Sequence, residues 1–195
     1  MLRRPDAVAR SRDAALEGLV GVAPLPAPTP KSGARVVGGH AARDAGAAFE
    51  AWLSAQHRAA ELAGLAHVRH VGPPVAHTGI GGRDLRVIGH GPADYQGVIR
   101  GGRAVAVEAK SRTGRLARAE IPQHQQDDLA RVAALGGVAL LVVELRDHQL
   151  VAAVPWGQVP WMKARTAEAV GAEQLRAWVV SSGSVYLARF VGGGA

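Results

Sequence analysis

The chain has 195 residues, 48% of them hydrophobic and 20% charged, and it has no cysteine. That suffices for one domain with a real core plus a tail, and it excludes a disulfide scaffold and a thiolate zinc site, which fits a reducing cytoplasm. The net charge of +7 is carried almost wholly by arginine, because Lys31, Lys110 and Lys163 are the only lysines; it suits a polyanion such as nucleic acid, and also an Arg-favouring coding bias.

No apolar run is long enough to span a bilayer, and no uninterrupted apolar segment follows Arg3 and Arg4, so neither a membrane anchor nor a signal peptide is expected. Residues 1–44 read as a flexible, basic, Pro/Ala-rich tail. Asp6 to Val20 has the spacing of one amphipathic helix. The alternating prolines of 23–30 then stop any helix. Arg3, Arg4, Arg10 and Arg12 offer backbone contacts to DNA if the arm is more than a disordered extension.

From Asp44 to Ala63 the spacing predicts a helix, with Phe49, Trp52, Leu53, Gln56 and Ala60 on one face and Gly64 as its stop. Glu50 stands beside that stripe as an ordinary solvated helix acid or as a site residue. Leu65 to Val71 reads as a strand. His57, His67 and His70 read as surface or DNA-facing residues and not as a zinc site, since His67 and His70 do not share a strand face. Residues 77–92 are glycine-rich, with a strand at Leu85–Ile88 and a tip at Gly79–Arg83.

The stretch from Asp94 to Lys110 reads as two apolar strands joined at Gly101-Gly102. The second ends in Glu108-Ala109-Lys110. Residues two apart in a strand point the same way, so Glu108 and Lys110 share a face. Ionised groups beside a core strand carry a desolvation penalty that a divalent metal and a phosphate would offset. A two-residue loop at Gly101-Gly102 would set Asp94 opposite Ala109, one residue out of step with Glu108. A bulge or a longer loop from Arg100 to Arg103 would bring the carboxylates together, so an irregularity is expected between them, or Asp94 just before the regular strand.

Ser111 to Arg118 is basic and polar and reads as a loop, with Arg112, Arg115 and Arg118 as candidate phosphate contacts. Ile121-Pro122 starts a helix that Gly136-Gly137 ends. Gln125, Leu129 and Val132 share its buried face, which places Gln125 at a polar site under the sheet; His124, about 100° away, should be exposed. Val138 to Glu144 reads as an apolar run closed by a glutamate, as in a central strand buried on both faces. A strand at 149–155, a helix from Trp156 to Lys163, a short helix at 172–180 and a last strand at Val185–Phe190 complete the domain, placed at 45–191. Tyr186 and Trp178 read as core rather than as base-stacking residues.

An Asp, a short hairpin and then Glu-x-Lys resembles the PD-(D/E)xK nuclease superfamily. Together with Gly46 to Glu50 opening a helix, Pro73-Pro74-Val75, His124-Gln125 and Gly136-Gly137 before an apolar strand, the order from Gly46 to Pro155 is similar to the RecU family of Holliday junction resolvases. The resemblance implies an α/β, restriction-endonuclease-like mixed sheet flanked by helices. It implies a homodimer that makes paired, symmetric nicks in four-way junctions during DNA recombination and repair. The implied metal is Mg²⁺, with Mn²⁺ as a substitute, held by Asp94, Glu108 and the carbonyl of Ala109. Lys110 would assist at the scissile phosphate, and Gln125 and Glu50 would position water or a second metal. The 77–92 insertion corresponds to a short stalk, with Arg83 and Arg86 as its DNA contacts. No small-molecule cofactor is implied. A restriction- or repair-type endonuclease, or an inactive DNA-binding module, are the competing readings.

Overall fold

The computed structural model describes residues 38–78, 84–163 and 168–192. Residues 1–37 of the expected tail, with the helix at Asp6–Val20, therefore lie outside the described residues, as does Arg83; residues 38–44 are helical rather than tail. Helix α1 (Gly38–Leu62) begins six residues ahead of Asp44, because the Ala-containing run before it holds no proline to stop it. Ala45, Phe49, Trp52, Leu53, Gln56 and Ala60 form its buried face. Gly64, at φ 62°, ends it, and the Leu65 N–H turns back to the Ala60 carbonyl.

Strand β1 (Ala66–His70) follows, then the hairpin β2 (Val75–Thr78) and β3 (Asp84–Val87), then β4 (Tyr95–Ile99) and β5 (Ala104–Arg112). A short β6 (Leu116–Ala117) leads to helix α2 (Gln123–Ala134), with Pro122 at its N-cap. Next come β7 (Val138–Leu145) and β8 (Leu150–Pro155). Helix α3 (Pro160–Lys163), β9 (Ala169–Val170), which pairs with β6, and α4 (Ala172–Leu175) complete the regular elements. No helix among the described residues is long and apolar enough to cross a membrane.

The main sheet has the order β1-β4-β5-β7-β8. Only β5 and β7 are parallel, and α2 makes the crossover between them. α1 covers one face, where Phe49, Trp52 and Leu53 meet Val105, Val107, Leu140 and Val142. On the other face Ile121 and Leu129 meet Ala106, Leu141 and Val143, with Trp156 and Trp161 in the same cluster. All eight residues of β7 are buried, as the apolar run Val138–Val143 requires, with Glu144 buried among them. This mixed sheet flanked by helices is the α/β arrangement expected.

Several expectations are corrected. Val185–Phe190 forms no strand: Tyr186–Phe190 is a 3-10 helix. The outer edge of β8 is already occupied, because Val180 donates to the Val151 carbonyl and Val179 bridges Ala152. The Trp156–Lys163 helix is split into a 3-10 turn at Trp156–Gln158 and α3, with Pro160 opening the second. The 172–180 helix ends early, passing from α4 into a 3-10 turn at Arg176–Trp178. His57 is buried, not at the surface. Its Nε2 lies 2.6 Å from the Tyr186 hydroxyl, and burial lowers its pKa to about 4, so it is neutral. Tyr186 is core, as expected.

Gly97 of β4 packs flat against β1. A Cβ there would overlap the His67 carbonyl oxygen and press on Val68. Gly97→Ala is therefore expected to cost about 3 kcal/mol or more, since the obstructing atoms are backbone and the strands would have to part. A denaturant midpoint unchanged from the parent chain would contradict the β1–β4 register.

Candidate active site

The loop between β4 and β5 sets the geometry. Arg100 to Arg103 lie between the strands, and pairing of Ile99 with Arg103 closes a three-residue turn, Arg100 to Gly102, within them. The Ile99 N–H donates to the Arg103 carbonyl and the Gly102 N–H to the Ile99 carbonyl, both at 3.0 Å. Gly101 and Gly102 take φ of 95° and 82°, which a side chain would oppose. The extra loop residue shifts the register, so Tyr95 pairs with Val107 and Gln96 with Ala106. One step back, Asp94 aligns with Glu108, not with Ala109, and it lies just before the regular strand. The longer loop and the pre-strand acid, offered as alternatives, occur together.

Asp94 is pinned there. Its Oδ2 accepts the Ala109 N–H at 3.0 Å, and its carbonyl accepts the Val71 N–H at 2.8 Å. The preceding backbone is held from below by Asp128 of α2, whose Oδ2 accepts from the Ala93 N–H and from Gln96 Nε2, both at 3.1 Å. Asp128 was not anticipated. Its only trace in the sequence is an acid one residue before Leu129 on the buried side of the helix.

Glu108 is fully buried. Lys110 Nζ donates to its Oε1 at 2.5 Å, which confirms their shared face. Its Oε2 is buried with no partner. Burial, and then the charge of Asp94, push its pKa up to about 7, against the opposing pull of Lys110. A buried carboxylate with an orphaned oxygen, repelled by a second carboxylate, is a donor set that a cation would complete. Among the described residues no group of three or more His, Asp or Glu side chains converges on one point. The set is thus two carboxylates, a chemistry that fits a hard divalent ion.

A cavity of about 230 Å³ opens beside these groups, lined in part by Glu50, His70, Asp94, Lys110 and Ser111. Glu108 does not line it and reaches it through Lys110. Glu50 is exposed on α1 and lines this cavity together with Asp94. The Tyr95 hydroxyl is pushed up to about 12, first by burial and then by the charges of Glu50 and Asp94.

A second acid was also missed. Glu144, buried at the end of β7, accepts a 2.5 Å hydrogen bond from Ser111 Oγ. Burial raises its pKa, and the Ser111 bond opposes that rise. β5 runs on to Arg112, so Ser111 and Arg112 are strand residues, not loop, and the parallel pairing sets Ser111 beside Glu144. The one signal was a glutamate closing an otherwise apolar run.

Gln125 is half-buried and its Oε1 is buried without a partner, but it does not line the cavity. The more deeply buried amide is its neighbour Gln126, which accepts from Arg118 Nε and donates to the Ile121 carbonyl. His124 is half-buried and stacks on His90, with ring centroids 4.6 Å apart, rather than standing free in solvent. The three arginines after Lys110 are engaged within the chain: Arg112 pairs with Glu120, Arg115 donates to the Ala169 carbonyl, and Arg118 to Gln126. Arg86 is exposed on β3.

No protein-family model matches this chain, and no curated protein matches it. Among solved structures it is similar to Hjc, a Holliday junction resolvase from the archaeal hyperthermophile Archaeoglobus fulgidus, with 15% sequence identity over 68% of this chain and 91% of that one, at a TM-score of 0.42.

Proposed function

We propose that this chain is a metal-dependent endodeoxyribonuclease that resolves four-way DNA junctions, with RecU-like resolvases as the family it follows. The observation that carries the reading is the alignment of Asp94 with Glu108 across the β4–β5 hairpin, with Lys110 on the Glu108 face and one Glu108 oxygen left unsatisfied. Each feature alone has an ordinary structural explanation, and their convergence beside one cavity does not.

Asp94, Glu108 and the Ala109 carbonyl are the donors for a divalent cation, Mg²⁺ or, in its place, Mn²⁺. When bound, such an ion supplies Lewis acidity toward a phosphate and its attacking water. Asp94 is held for this by the Ala109 N–H, so its carboxylate needs no rearrangement. Lys110 presents a positive charge at the cavity and can donate from Nζ to a phosphate oxygen where negative charge develops. Glu50 can accept a hydrogen bond from the attacking water at the cavity's helix side. Gln125, with an unsatisfied carbonyl oxygen, is the outer candidate for orienting water.

The choice of a junction over plain duplex is supported by the RecU-like order of motifs and by the β2–β3 hairpin. Among the described residues that hairpin pairs with itself and stays outside the main sheet, as a projecting stalk would. A junction has two-fold symmetry, which a homodimer with two such sites matches. β7 is buried on both faces and β8 is partly covered, which leaves β1 as the open sheet edge among the described residues.

The test is cleavage with Mg²⁺ of a synthetic four-way junction beside linear duplex and single strands. Paired symmetric nicks in the junction alone are expected. Duplex cut as readily would make this a nuclease of the restriction or repair type. DNA bound but never cut would make it an inactive binding module.

A further inference from the structure

We propose that the groove between α1 and β1 is a second DNA-contact site, which takes the sugar-phosphate backbone of the strand leaving the candidate active site; this rests on the nuclease reading above. The groove encloses about 590 Å³. Ser54, Arg58 and Leu62 of α1 form one wall, and Val68, Arg69 and His70 of β1 the other. His70 and Tyr95 line both this groove and the smaller acidic cavity, so the two adjoin. A strand whose phosphate sits at Lys110 has to leave the site in some direction, and this is a walled path that begins at it.

The chemistry of the walls fits a phosphodiester. Arg58 is exposed and has no hydrogen-bond or ion-pair partner among the described residues. Arg69 is held in place by Glu61, with its two terminal nitrogens each 3.1 Å from a carboxylate oxygen, and His67 Nδ1 lies 2.8 Å from the same acid. Glu61 is thus neutralised, and the groove keeps the free charge of Arg58 together with the His70 ring. On the α1 wall, Leu62 is 78% exposed and offers an apolar surface to a deoxyribose or base. A second copy of the chain is the weaker occupant. A two-fold contact centred on the groove would bring the unpaired Arg58 charges of the two copies toward each other.

The test uses the full chain, a labelled four-way junction and Ca²⁺ in place of Mg²⁺ while affinity is measured across a salt series. Arg58→Ala is expected to weaken binding several-fold and to lower the salt slope by about 1, as the loss of one phosphate contact requires. Arg58→Lys should restore the slope. In cleavage, the loss in Arg58→Ala should be larger in KM than in kcat. Junctions carrying one uncharged methylphosphonate near the nick should bind the parent chain less well at one position, to which Arg58→Ala no longer responds. If Arg58→Ala keeps the parent affinity and slope, and responds to every methylphosphonate as the parent does, the groove holds no backbone and the proposal is overturned. A variant that goes from dimer to monomer with DNA affinity unchanged also overturns it and assigns the groove to a second copy. A parent chain that binds no DNA removes the nuclease reading itself, and that outcome is distinct from both.

Discussion

Asp94→Asn is expected to lower strand cleavage by about 10³-fold or more, because losing one carboxylate of a hard-cation site forfeits several kcal/mol of transition-state stabilisation. Junction binding should survive, since no arginine is touched. The fold should survive as well: the asparagine oxygen can still accept the Ala109 N–H that Asp94 Oδ2 accepts now. Single-turnover nicking and fluorescence anisotropy on the same preparation separate the two effects. Loss of binding along with cleavage would show that the acid is structural.

Glu108→Gln should act on stability and activity in opposite directions. The folded-state pKa of Glu108 is raised to about 7 from the ordinary 4.5. The folded protein therefore holds that proton more tightly than the unfolded chain. Stability falls as the pH rises from about 4.5 through about 7 and is level above that. The full effect is on the order of 3 kcal/mol at pH 8 and nothing at pH 4. Glutamine cannot ionise, so at pH 8 the variant should be more stable than the parent by up to that amount, less whatever the bond to Lys110 loses, with no gain at pH 4. Cleavage should disappear in the same variant. Mg²⁺ should raise the melting temperature of the parent at pH 8 and not that of Glu108→Gln, because an ion that favours the ionised form acts only where there is a carboxylate. Denaturant titrations at the two pH values check the sign. Equal destabilisation of the variant at both would mean that Glu108 carries no desolvation strain.

The elements with strong periodicity were legible from the chain alone. The Phe49–Ala60 stripe, the strand around Val68, the hairpin, helix α2 and the apolar run of β7 each follow from local pattern, and so does the pairing of Glu108 with Lys110 on one face. The register was not legible, because it depends on whether Gly101 and Gly102 close a loop of two residues or of three. That single step decides whether Asp94 faces Ala109 or Glu108. Gln125 and Gln126 lie about 100° apart on a helix whose buried face is wide enough for either. The stripe through Leu129 could not show that Gln126 takes the deeper position. Contacts between distant segments were invisible for a simpler reason. His57 with Tyr186, Ser111 with Glu144, and Arg115 with Ala169 are brought together by sheet order and by chain returns that no local window contains. The arginines after Lys110 looked free because their partners, among them the Ala169 carbonyl, lie in other segments or on the backbone.

The measurement that tests the central claim most directly is hydrolysis of DNA by the parent chain with and without Mg²⁺, beside Asp94→Asn, with the products resolved to single nucleotides. The account predicts phosphodiester cleavage that needs the cation, is removed by a chelator, and is absent from Asp94→Asn at equal DNA occupancy. Cleavage that persists in the chelator or in Asp94→Asn, or no cleavage of any DNA by the parent chain with any divalent cation, would contradict it.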